Sequence, residues 1–166
     1  MSYVQLINTV TVGAGGAASI DFTSIPQNYI DLLIVLSTRT TSANLQDGTY
    51  ISFNGITTGR TFKQLVGTGT AATVSGGTDT YIGNSNGGGS TANCFSNIQF
   101  YLSNYSSTSV NKPYASENVN DTNAANINSF ITNGLWASTA AITSLSVTAS
   151  ATNFAQYSVV SIYGIK

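Results

Sequence analysis

The sequence predicts an all-β domain, an antiparallel two-sheet β-sandwich of the jelly-roll type. Three observations lead there: short runs in which apolar and polar residues alternate, clusters of Gly, Ser, Asn or Pro between those runs, and no segment that sustains an apolar period of 3.6 residues. β-Branched residues recur throughout and suit a pleated, half-buried surface. Many short strands separated by turn signals imply two packed sheets, either a jelly roll or another Greek-key sandwich, and the jelly roll is the reading adopted.

Taken in order, Tyr3 to Val12 opens the chain with mixed alternation, and Ala18 to Phe22 follows a glycine turn. Ile30 to Ser37 is an almost unbroken apolar run, as expected of a strand covered on both faces. Tyr50 to Asn54 is short, with Ile51 and Phe53 directed one way and Ser52 the other. At most a turn of helix is expected, near Arg60 to Val66. Residues 67–91 are rich in Gly, Ser and Thr and read as a loop, or as an arm ordered on a neighbour, interrupted by Tyr81 and Ile82. Asn97 to Tyr105 alternates Ile98, Phe100 and Leu102 against Gln99, Tyr101 and Ser103, giving one core face and one wet or interfacial face. Pro113 lacks an N–H and belongs at the start or edge of the strand from Tyr114 to Val119. Phe130, Ile131, Leu135 and Trp136 form a strand pair, or one strand bent at Gly134. Thr143 to Ala149 and Ala155 to Ile165 close the chain as strands.

Composition then narrows function. At 166 residues the chain suits a single domain, residues 1–166, large enough for a substantial core. Five Lys/Arg and six Asp/Glu leave a net charge of −1, so there is no basic stripe for a phosphate backbone, and nucleic acid is not an expected partner. No run approaches the roughly 20 apolar residues of a membrane helix, and Met1 to Gln5 does not begin a secretory signal, so neither membrane insertion nor export by that route is expected. A weakly charged surface associates easily, and a homo-oligomer is expected. With no histidine, the chain lacks the usual neutral-pH proton carrier. The expectation is a non-enzyme with no catalytic, cofactor-binding or metal-ligating residues.

Several motifs tempt and fail on chemical grounds. Gly13-Ala14-Gly15-Gly16-Ala17-Ala18 fits a dinucleotide fingerprint, but strand-like residues follow it where a helix N-terminus is required, and a hairpin turn is expected instead. Gly83-Asn84-Ser85-Asn86-Gly87 fits a nucleophile elbow, but no histidine exists to activate Ser85, and a glycine loop is expected. Glu117 and Asp121 would share one face of a strand and read as a solvated polar edge rather than an acid–base pair. The cluster from Glu117 to Asn123 lacks the glycine and terminal acid of a familiar calcium loop. The lone Cys94 reads as a small buried hydrophobe, and the sequons at Asn104 and Asn120 are discounted because Asn, Ser and Thr are so abundant.

Two stretches carry a resemblance. They are Ile20-Asp21-Phe22-Thr23-Ser24-Ile25-Pro26-Gln27-Asn28-Tyr29-Ile30-Asp31-Leu32-Leu33-Ile34-Val35, and Gly134-Leu135-Trp136 through Ala140-Ala141-Ile142-Thr143-Ser144-Leu145 to Ile162-Tyr163-Gly164-Ile165-Lys166. Together they resemble small β-sandwich virion structural proteins of tailed bacteriophages, notably phages of marine and fresh water such as cyanophages. The resemblance brings no catalytic motif. It implies a place in the virion, with a capsid decoration (cement) protein favoured over a tail-fibre or baseplate module that recognises host glycan. The implied partners are the major capsid protein and further copies of the chain, with a trimer favoured by capsid three-fold positions.

Overall fold

The computed structural model describes residues 3–123, 127–150 and 152–166. Twelve strands occur among them: β1 (Val4–Thr11), β2 (Ser19–Phe22), β3 (Asp31–Thr38), β4 (Gln46–Phe53), β5 (Arg60–Gly67), β6 (Ala72–Gly77), β7 (Tyr81–Asn86), β8 (Ser96–Leu102), β9 (Lys112–Asp121), β10 (Ile127–Trp136), β11 (Leu145–Ala149) and β12 (Val159–Ile165). They form an eight-stranded sheet, in the order β1-β12-β3-β8-β9-β10-β5-β6, and a four-stranded sheet, β2-β11-β4-β7. Every pairing between these strands is antiparallel. The two-sheet sandwich expected from the sequence is the fold observed.

The winding explains the unequal sheets. From β2 onward the chain passes repeatedly between the layers, staying within one layer only for the β5–β6 hairpin and the β8–β9–β10 meander. If that meander is taken as one widened position, β2 to β11 interleave as the eight positions of a jelly roll. β1 and β12 then extend the large sheet beyond β3. They bring the two ends of the chain together, with Val4 opposite Ile165 and the Lys166 N–H donating to the Tyr3 carbonyl at 3.1 Å.

Side-chain alternation places the core. Ile98, Phe100 and Leu102 are fully buried while Gln99 and Tyr101 face out, and Leu145 and Val147 are buried on β11. Aromatic rings fill the centre: Phe53 meets Trp136 edge-on at 5.4 Å, and Phe100 stacks on Tyr114 at 5.1 Å. Tyr114 lies over Gly134, its register partner on β10, where a Cβ would come within 2.4 Å of the phenol ring. That glycine marks the close approach of a ring, not a break between two strands.

Several sequence expectations are corrected. β3 is not covered on both faces: buried Leu32, Ile34 and Leu36 alternate with half-buried Leu33 and Val35, because the large sheet's outer face has no second layer. Residues Arg60 to Val66 form β5 and not a helical turn, the inward position of Arg60 having disguised the two-residue period. The stretch 67–91 is neither a single loop nor an arm, since it holds β6, ordered by its ladder to β5, and β7, part of the small sheet. Gly13 to Ala18 is not a hairpin: its turn, closed by the Gly16 N–H to the Gly13 carbonyl at 3.0 Å, carries the chain from the large sheet to the small one.

Candidate functional site

Most of the few cations in this molecule are engaged by the fold itself. The Lys112 ammonium is enclosed and donates to the carbonyls of Val110 at 2.6 Å, Ser107 at 2.8 Å, Thr139 at 3.1 Å and Ser138 at 3.5 Å. Burial pushes its pKa below the ordinary lysine value. Arg39 gathers the loop after β7, donating to the carbonyls of Gly88, Ser90, Thr91 and Cys94 and to the Ser90 hydroxyl. Arg60 is 1% exposed, with its guanidinium 4.0 Å from the Phe53 ring centroid and 5.8 Å from that of Tyr114. None of its nitrogens has a hydrogen-bond partner, and desolvation lowers its pKa to about 10. Three of the five cations are thus occupied by the fold.

A polar ladder seals one sheet edge. β7 ends the small sheet, and side chains of β9 reach across the sandwich to its backbone. Ser116 donates to the Ile82 carbonyl at 2.7 Å, while the Asn118 amide accepts from the Asn84 N–H at 2.7 Å and donates to the Asn84 carbonyl at 3.2 Å. Gly83, at φ 151°, permits this approach, because a Cβ there would lie 2.8 Å from Asn118 Oδ1.

The surface left for recognition is the outer face of the large sheet. Strand register lays its side chains in rows. One runs Ser161, Val35, Gln99, Glu117, Ile131, Leu65, Val74, and the next runs Leu6, Tyr163, Leu33, Tyr101, Ala115, Asn133, Lys63. A solvated antiparallel face ordinarily carries polar residues, yet Leu6, Leu65, Val119 and Ile131 are each between 44% and 51% exposed here. Shallow depressions lie between these rows, lined by residues such as Leu33, Tyr101 and Ala115, or Leu65, Val74 and Ile131. At its margin Tyr101 donates to the Asp31 carboxylate, a bond that raises the phenol pKa and fixes the ring. The small sheet's outer rows are different, being made of Asp21, Ser146 and Ser52, then Ser19, Thr148 and Tyr50.

The residues singled out by motif do not converge. Glu117 and Asp121 do share the outward face of β9, but β9 lies inside its sheet, and four residues of strand separate the two by about 13 Å, beyond the roughly 5–9.5 Å of glycosidase pairs. The oxygens between Glu117 and Asp121 are split by the pleat, with Asn118 and Asn120 inward. Among the described residues no three His, Cys, Asp or Glu side chains gather where they could hold a metal. Ser85 is not in a glycine loop; it sits buried on β7, its Oγ 2.7 Å from the hydroxyls of both Thr38 and Thr49. Cys94 is half-buried, Asn120 is enclosed, and Asn104 is exposed.

The outward apolar rows were missed from sequence. Their signal was present in the adjacent pairs Leu65-Val66 and Phe130-Ile131, because neighbouring residues in a strand point to opposite faces and one of each pair must face out. No protein family, curated protein or solved structure matches this chain.

Proposed function

We propose that this chain is a non-catalytic virion structural protein of a tailed bacteriophage, a decoration protein that docks on the major capsid protein through the outer face of its large sheet. The supporting observation is that face: eight strands wide, sparsely charged and studded with half-exposed aliphatic side chains. At strand spacings of about 4.8 Å and about 3.3 Å per residue it covers roughly 34 by 25 Å, close to the roughly 800 Å² that each partner contributes to a stable interface. The small sheet's hydroxyl-rich face offers less apolar area to such contact. Reinforcement of a shell requires contact area and a rigid body, and a sandwich with one broad open face supplies both.

The test is cryo-electron microscopy of the virion whose genome encodes the chain. Density for this fold on the capsid lattice is expected, with the large sheet against the shell. Density confined to the tail would replace the reading with a fibre or baseplate role, and its absence from the particle would end both.

A further inference from the structure

Each sheet has two edges, and three of these four are blunted. β2 is only four residues long, β1 carries a register shift between Leu6 and Asn8, and β7 is sealed by Ser116 and Asn118. Short strands, bulges and covering groups are how sheets avoid pairing with other chains. β6 has none of these protections. It pairs with β5 through six uninterrupted positions, lies in a stretch without charge from Gln64 to Thr78, and is exposed along nearly its whole length.

The row that ends there indicates what covers it. Register aligns Ile131, Leu65 and Val74 across β10, β5 and β6, with exposures of 50%, 45% and 80%. An apolar row therefore runs to the rim of the sheet and stops at its most exposed member. We infer that β6 pairs antiparallel with β6 of a second copy about a two-fold axis through Val74. A strand is the occupant that satisfies an open backbone edge, and a second copy presents an equally uncharged one. The two-fold continues the row as Val74, Leu65 and Ile131 of the second copy, and a slip of one residue would turn the two Val74 side chains to opposite faces. This inference does not depend on the virion reading, and its symmetry differs from the trimer expected from capsid geometry.

Sedimentation equilibrium of the purified chain tests it. The expected mass is twice the 17.2 kDa of one subunit, and Val74→Lys, which sets like charges face to face, is expected to halve it while circular dichroism remains β-sheet. In a Cys94→Ser background, Val74→Cys is expected to give a covalent dimer on oxidation, since directly opposed Cα atoms lie about 4.5–5.5 Å apart, within the span of a disulfide, whereas Thr73→Cys gives none. Should Val74→Lys fail to fold, this cysteine pair decides alone. A monomer at hundreds of micromolar, a trimer, a dimer indifferent to Val74→Lys, or equal cross-linking from both cysteines would overturn the inference. The monomeric result would leave β6 open to a strand of another protein.

Discussion

Two buried cations illustrate opposite solutions to one problem. Lys112 exchanges water for four backbone carbonyls, so removing its charge strands those acceptors. Arg60 exchanges water for the faces of Phe53 and Tyr114 and leaves its N–H groups unpaired. Replacement of a complete buried ion pair by apolar side chains of similar volume is often neutral or stabilising by about 1–4 kcal/mol, and Arg60 has no hydrogen-bonded partner that its removal would strand. Arg60→Met is therefore expected to be at least as stable as the parent in urea denaturation. Lys112→Met is expected to lose about 2–4 kcal/mol, because the carbonyls around it lose a charged donor. An equal loss in both variants would show that the aromatic faces compensate Arg60 fully.

At the scale of the strand, the β9–β7 ladder is a polar interior with a structural purpose, since it satisfies an edge backbone from the facing sheet. Asn118→Leu keeps the bulk but deprives the Asn84 N–H and carbonyl and the Asn97 carbonyl of their partner. A cost of about 3 kcal/mol is expected, against less than about 0.5 kcal/mol for Val119→Ser on the outer face of the same strand, and urea midpoints compare them directly. The same chemistry decided what could be read from sequence. Strands with apolar inward rows, such as β8 and β11, were legible from alternation. Those whose inward rows include Arg60, Ser85 or Asn86 were not, because a hydrogen-bonded amide or a ring-stacked cation is buried without looking hydrophobic. β6 was illegible for another reason: its order comes from β5 and from no core of its own. Apart from the Gln99 and Tyr101 side of β8, read as wet or interfacial, the outer face was visible only as adjacent apolar pairs, and their meaning depended on register.

For the whole molecule, titration sets a one-sided limit. Burial raises the pKa of Tyr81, Tyr105 and Tyr114, and the bond to Asp31 raises that of Tyr101. Above about pH 10 the unfolded chain releases these protons while the folded chain keeps them, so stability falls as pH rises. Arg60 and Lys112, lowered on folding, act in the opposite sense over the same range, but they are two groups against four. With no histidine to titrate, the melting temperature is expected to stay level from about pH 5.5 to 8 and to drop beyond about pH 10, as a calorimetric pH series would record. The adjoining ends of β1 and β12 add a mechanical corollary. Tension applied between the termini would peel these two strands apart one rung at a time, in the manner of a zip, and the remaining layers would bear little of the load until that seam had opened.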